Sequence, residues 1–482
     1  MFSAFLYLAF TSFAINAQAV NSYVDSGPNS AMQALLAKAD RQALVPIILR
    51  SRSLSDRKSS AEQIRAKLLS NQSYDVFRAK ADSGRTIRTF KYSALTATAV
   101  NRDELVALID DPDIEVFENS IKRPLLSSSV PLVYPSLNIS PFHGNNEWAV
   151  AVVDTGVDKS HLFFKQKIVS EACFSNIDEL PAISSLCPGG VTTSTASGSG
   201  VNCNLLGCDH GTQVAGIAAG NGSAFNGVAR DAKLISIQVF SQVTDESQCG
   251  FGVASCLGGA ITSDIIAGLE HVYELRNSFK IASVNLSLGS AELFSGSCDE
   301  QPEREIIDML TEAGIAVVVS TGNSGNNSQI QSPACITNAV AVAASSATSQ
   351  SESAWINNNI SNQLDLFAPG IDITTSTTSQ GFVSATGTSH AAPHVAGAWV
   401  AMKHASPSLT VANGEQLLKS FGPTITQHSV TRRRLSLSAV LNSLVPGSQV
   451  ISNPTQPSPP LPPLNREGLS MAGVVLLLLD ED

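Results

Sequence analysis

Between Trp148 and Ala343 the sequence returns five times to short, mostly apolar runs, and this recurrence restricts the fold more than any other feature. The runs are Trp148–Val153, Lys233–Val239, Ile281–Leu288, Ile315–Ser320 and Ala339–Ala343. A strand with one wet face alternates apolar and polar residues, whereas a near-continuous apolar run belongs in a sheet covered on both sides. Helical spacing fills the intervals, at Ser263–Leu275 and Glu303–Ala313. Strand alternating with helix predicts an α/β fold, a mostly parallel sheet with helices on both faces.

The chain has 482 residues, too many for one ordinary core, and a second unit is legible ahead of the first. Within residues 20–126, Leu44–Leu49, Phe90–Val100 and Ile114–Phe117 read as strands. Ser60–Leu69 and Arg102–Ile109 read as helices, with Ile64, Leu68 and Leu69 on one face. That order suggests a small β-α-β-β-α-β unit, one sheet with two helices. This front unit carries 16 Lys and Arg against 13 Asp and Glu, net +3. Residues 127–482 carry 14 against 28, net −14. The overall −11 argues against a nucleic-acid partner, and the asymmetry reads either as two independently solvated surfaces or as a front unit that docks on the body through complementary charge.

The two ends read as processing segments. Phe2–Ile15 is mostly apolar and Ala17-Gln18-Ala19 fits a small-x-small cleavage site, so residues 1–19 are expected to be a signal peptide. Residues 446–465 are rich in Pro and Ser, a stiff extended linker, and lead to an apolar stretch at Leu469–Leu479. Its length of about eleven residues is too short for a membrane span and reads as the remnant of a sorting tail. The eight cysteines, Cys173, Cys187, Cys203, Cys208, Cys249, Cys256, Cys298 and Cys335, all lie in the body. An even number behind a secretory start suggests disulfides in an oxidising compartment. Cys203–Cys208 and Cys249–Cys256 are near enough in sequence to close small loops, which would leave Cys173–Cys187 and Cys298–Cys335, although spacing leaves connectivity open. The rival is a zinc site from Cys203, Cys208, Asp209 and His210, for which no second CxxC or HxxxH partner is present.

Three Gly-flanked segments carry the chemistry. In AVAVVDTGVDKSH, Asp154 ends an apolar strand; in DHGTQVAGIAAG, His210 opens a small-residue helix; in ATGTSHAAPHVAG, Ser389 opens another. Strand ends and helix N-termini converge on one edge of a parallel sheet, where an acid, a base and a hydroxyl can form a nucleophilic triad. Taken singly, each has a structural explanation as a cap or surface residue. Taken together, in the order Asp, His, Ser, they do not. An esterase of the α/β-hydrolase type would need GxSxG and the order Ser, Asp, His.

These segments resemble the signatures of the subtilisin-like serine proteases, the subtilase family, around the acid, base and nucleophile. The resemblance implies a subtilisin-like catalytic domain at 127–445, preceded by a small α+β propeptide domain at 20–126 that acts as intramolecular inhibitor and chaperone. It implies a secreted serine endopeptidase, made as a zymogen and acting on protein and peptide substrates as a monomer, extracellularly or in the cell envelope. The stretch AVVVSTGNSG resembles the family's oxyanion segment, which gives Asn323 a side-chain donor role beside the backbone N–H of Ser389. VNLSLGS resembles the edge segment that pairs with substrate, which gives Ser287, Leu288 and Gly289 backbone contacts. No acidic residue marks a pocket for basic side chains, so apolar residues are expected before the cut. The stretch DPDIEVFENSIKRPLL followed by SSSVP resembles a propeptide end, with self-cleavage after Leu126 leaving Ser127 as the new N-terminus. One departure is His390, where the family usually has Met; His394 matches a common His and reads as a packing residue. No cofactor is expected for the chemistry. Calcium is common in the family, but the matching loop AAGNGSAFNGVA holds no carboxylate, so structural calcium stays possible through carboxylates elsewhere but no metal site is assigned. The alternatives are a catalytically silent subtilase-fold binding protein, and an acyl transferase or ligase on the same triad.

Overall fold

The computed structural model describes residues 28–51, 88–90, 93, 95–124, 142–175, 182–222, 225–249, 253–346 and 353–446. The leader, the Ser60–Leu69 helix, the junction at Leu126 and Ser127, and the tail from 447 lie outside the described residues.

The body is built on an eight-stranded sheet. Its order is Leu366–Pro369, Ala339–Ser345, Ala316–Ser320, Lys280–Leu286, Trp148–Asp154, Lys233–Gln238, Ile168–Phe174 and Thr193–Ser194. The first seven strands are parallel and only the last runs antiparallel. The central strand Trp148–Asp154 is buried along its whole length. Its residues alternate between two cores, as the period of two requires. Val150 and Val152 pack with the helices His210–Ala219 and Thr388–Ala405, while Ala149, Ala151 and Val153 pack with Thr262–Leu275 and Arg304–Glu312. Both faces are therefore covered.

The expected run Ile281–Leu288 is not one strand. It divides at Ser287 into Lys280–Leu286, in the large sheet, and Leu288–Ser290, in a second sheet. Ser287 is fully buried there, accepting from Asn285 Nδ2 (2.9 Å) and donating to the carbonyl of Ser389 (2.8 Å).

The front unit is a four-stranded antiparallel sheet in the order Arg88–Thr89, Leu95–Val100, Val45–Ser51, Ile114–Glu118. A helix at Pro28–Ala39, not foreseen from the sequence, joins Arg102–Ile109 on one face around Leu35, Ile47, Leu49, Leu105 and Leu108. Asn101 and Glu104 close a reciprocal capping box that fixes the start of the second helix. The opposite face, through Ile48, Phe90, Leu95 and Ala97, joins the core of the body. Beyond this sheet the chain continues into Ile121–Pro124, a strand of a separate five-stranded sheet in which it lies between Leu288–Ser290 at the edge and Cys256–Ile261 at the centre.

Candidate active site

Asp154 ends the central strand and His210 begins a helix 56 residues later. Two features bring them together. Gly156 has φ +86°, a left-handed turn, and a Cβ there would lie 2.2 Å from the carbonyl oxygen of Val201. Gly211 packs against Gly156 so closely that a Cβ would lie 2.3 Å from its oxygen. Thr155 then ties the helix start, its hydroxyl donating to the Cys208 carbonyl (3.0 Å) and accepting from the Gly211 N–H (2.9 Å).

Asp154 Oδ1 lies 2.8 Å from His210 Nδ1, and both residues are fully buried. A carboxylate only accepts, so Nδ1 carries the proton and donates. Nε2 is left as the basic nitrogen, buried and with no hydrogen-bond partner among the described residues. Burial disfavours the imidazolium, but the charge and hydrogen bond of Asp154, with the charge of Asp209, outweigh it and raise the His210 pKa above 6.5.

Ser389 is the second residue of the helix Thr388–Ala405. Pro393, four residues on, has no N–H to give the Ser389 carbonyl; the Ser287 hydroxyl supplies that bond. Ser389 Oγ lies 3.4 Å from Nδ1 of His390, whose ring stands edge-on to His210 with centroids 5.9 Å apart. His394 donates from Nδ1 to the His390 carbonyl (2.9 Å), is fully buried, and is pushed by that burial down to about 4, as suits a neutral packing residue.

Asn323 sits at the turn after the strand Ala316–Ser320, and its amide has one possible orientation. Its Oδ1 accepts from the backbone N–H of Thr388 (3.0 Å) and from the Thr388 hydroxyl (2.8 Å). The N–H can only donate, so the amide Nδ2 must face the other way. There it is buried without a partner among the described residues, a donor with nothing yet to bind.

Leu288–Ser290 pairs antiparallel with Ile121–Pro124, in the register Leu288↔Pro124, Gly289↔Arg123 and Ser290↔Lys122. On the other side Ile121 and Lys122 pair with Ile261 and Ala260. The front unit's end thus lies as a strand between two strands of the body. Of the three expected edge residues, Leu288 and Gly289 lie in that ladder, whereas Ser287 is turned inward. Ser290, Ala260 and Ile261 complete the ladder and were missed, because the apolar run through Ser287 hides the change of sheet.

All four disulfides form: Cys173–Cys187, Cys203–Cys208, Cys249–Cys256 and Cys298–Cys335. The Cys203–Cys208 bond removes the zinc alternative, since neither sulfur is left to ligate. No group of three or more His, Cys, Asp and Glu side chains among the described residues is arranged to hold a metal ion. At the loop that the resemblance marks for calcium, the carbonyl of Ala219 within it and that of Arg230 just after it accept from the half-buried ammonium of Lys167. The loop itself supplies no carboxylate and a lysine already occupies carbonyls at its ends, so its described residues do not fit calcium.

Residues 145–432 match the subtilase family. This chain belongs to that family. It is a serine endopeptidase, and its sheet, with one antiparallel edge strand, is the subtilisin-like α/β fold. Among curated relatives, this subtilase is 27% identical to subtilisin NAT of Bacillus subtilis subsp. natto over 70% of the chain and 77% of the relative. It is 33% identical to the extracellular serine proteinase of Thermus sp. (strain Rt41A) over 51% of the chain and 48% of the relative. Among solved structures, fervidolysin of Fervidobacterium pennivorans, a keratinolytic enzyme related to subtilisin, aligns with a TM-score of 0.57 at 18% identity, covering 83% of this chain and 61% of that one. That likeness speaks to the fold. Subtilases need no cofactor for peptide hydrolysis, and their substrates are peptides and proteins. No helix among the described residues is long and apolar enough to cross a membrane.

Proposed function

We propose that this subtilase cuts proteins with Asp154, His210 and Ser389, and that residues 20–126 are its inhibitory propeptide. The observation that carries the triad is the fully buried His210–Asp154 pair, which fixes the tautomer and leaves Nε2, beside the Ser389 helix, with no partner among the described residues. In the reaction Ser389 Oγ attacks the substrate carbonyl carbon while its proton passes to His210 Nε2. The same proton then goes to the leaving amine, and water repeats the sequence on the acyl-enzyme. Asp154 holds the ring and stabilises the imidazolium. The oxyanion takes the Nδ2–H of Asn323 and the backbone N–H of Ser389; a donor of this kind contributes about 100- to 1000-fold to the rate.

Substrate lies as an added strand between Leu288–Ser290 and Ala260–Ile261, the position that Ile121–Pro124 holds in the zymogen. That placement supports a propeptide whose end blocks the cleft as a product would. Self-cleavage follows after Leu126, freeing Ser127, with apolar residues preferred before the cut. The enzyme is exported by its 1–19 leader and works outside the cell or in the envelope.

Wild type and Ser389→Ala are expressed side by side and followed by mass spectrometry, with casein as substrate and a sulfonyl fluoride as label. Wild type is expected to lose the residues before about 127, digest casein and take the label; the variant stays full length and inert. An intact, unlabelled and inactive wild type would instead identify a silent binding protein on the same fold.

A further inference from the structure

Ser389 has two imidazoles within its neighbourhood, and the one it touches is not His210. A chain of polar groups, half-buried at Asp209 and Thr377 and buried from Gln213 inward, leads to it from the opposite side. Asp209 Oδ2 accepts from the Thr377 hydroxyl (2.7 Å) and from Gln213 Nε2 (2.8 Å). A carboxylate cannot donate, so the Gln213 amide is fixed with Nε2 toward Asp209 and Oε1 toward His390. Oε1 lies 3.0 Å from His390 Nε2, which must therefore carry the proton. His390 Nδ1 is then a bare acceptor, 3.4 Å from Ser389 Oγ. Gln213, His390 and Ser389 are all buried, and His210 Nε2 has no partner among the described residues.

We propose that His390, oriented by Gln213 and Asp209, is a positioning residue that holds the Ser389 hydroxyl away from His210, so that the resting nucleophile is divided between a parked and a productive rotamer. No covalent step is involved: Ser389 O–H donates to His390 Nδ1 when parked, and to His210 Nε2 when the side chain turns about χ1. The contact is long for an O–H···N bond, so it biases the rotamer modestly rather than locking it. His390 remains an acceptor throughout the working range, because burial and the neighbouring His210 push its pKa well below 6.5. A thioether at this position offers at most a weak acceptor. The arrangement slows attack on slow, weakly bound substrates and inhibitors. Tightly bound peptide, by placing its carbonyl against Asn323 and Ser389, pulls the hydroxyl over to His210.

This inference rests on Ser389 being the nucleophile. The test compares the second-order rate of inactivation by phenylmethanesulfonyl fluoride in matured wild type and His390→Met, both expressed as the full chain. Releasing a single net hydrogen bond is expected to raise the rate about two- to tenfold. The inhibition constant of a reversible peptide that occupies the strand-pairing cleft but stops short of Ser389 is expected to stay the same. Inactivation that is unchanged or slower in the variant overturns the parking role. A wild type that takes no label fails earlier, on the nucleophile assignment itself, and removes both readings. Should His390→Met not fold, 15N-histidine spectra of wild type decide. His390 is expected to show a protonated Nε2 and a hydrogen-bonded Nδ1 whose resonance moves when Ser389 is sulfonylated. A protonated Nδ1, or no movement, overturns the proposal.

Discussion

In the proposed triad His210 serves as the base only while its imidazole is neutral, which turns one buried contact into a pH limit. Desolvation alone would lower its pKa, but the Asp154 carboxylate, bonded at 2.8 Å, and the nearby Asp209 charge bring it above 6.5. Activity should therefore fall as the pH drops, with the acid limb of kcat/KM centred above 6.5 and sulfonyl fluoride inactivation following the same curve. A midpoint below 6.5 would show that Asp154 does not carry its charge beside the ring. Stability runs the other way. A group whose folded pKa is raised stabilises the fold fully below its unfolded value near 6.5, and that contribution fades as the pH rises through the folded value. The enzyme is thus expected to be most active where the Asp154–His210 pair adds least to its stability.

At the scale of elements, the helix Thr262–Leu275 shows how the front unit and the body depend on each other. Its N-cap residue is Ile261, which has no side chain able to cap. The caps come from the front unit: the Ser120 carbonyl accepts from Thr262 N–H (2.8 Å) and Asn119 Oδ1 accepts from Ser263 N–H (2.8 Å). Further contacts fall along the same helix, from Arg88 to Asp264 (2.9 Å), with that carboxylate fully buried, and from the Ser93 hydroxyl to Glu270 (2.8 Å). Breaking one side of a buried, hydrogen-bonded charge pair across an interface costs about 2 kcal/mol or more, which is roughly a 30-fold loss of affinity. With the front unit acting as the inhibitory propeptide proposed above, Arg88→Ala in the full chain should shorten the lag before casein digestion appears, by weakening its hold on the body after cleavage. An unaltered lag would mean that docking depends on the apolar face of Ile48, Phe90 and Leu95 alone.

For the whole molecule, the four disulfides are all local to the body, with sequence separations of 14, 5, 7 and 37. Chain-entropy arguments give the shortest loop about 2 kcal/mol of stabilisation and the longest about 4. Replacing Cys298 and Cys335 together by Ala should therefore lower Tm more than replacing Cys203 and Cys208. The second pair should instead affect activity, because its loop leads directly into Asp209 and His210. Equal losses of Tm would show that strain or residual structure, rather than loop length, governs these crosslinks.

The layered α/β body is legible from the sequence, because uninterrupted apolar strands and helical spacing are local periodicities that only a doubly covered sheet accommodates. The sequence also singled out Asp154, His210, Ser389 and Asn323 as candidates, since each is set in a short Gly-rich turn whose backbone demands appear in neighbouring residues. Even the Pro28–Ala39 helix, overlooked, carries its signal in Met32, Leu35, Leu36 and Ala39. Features that depend on pairs distant along the chain emerge only in the packed fold. Gln213 meets His390 across 177 positions, Asn119 caps a helix 144 positions away, and Ile121–Pro124 finds its place between strands that follow it by well over a hundred residues. Such contacts leave no periodicity, because a hydrogen bond between side chains depends on where the packed sheet delivers them. The same holds for Ser287: its run reads as strand to the end, and only the approach of the Ser389 carbonyl, left unpaired by Pro393, turns it inward.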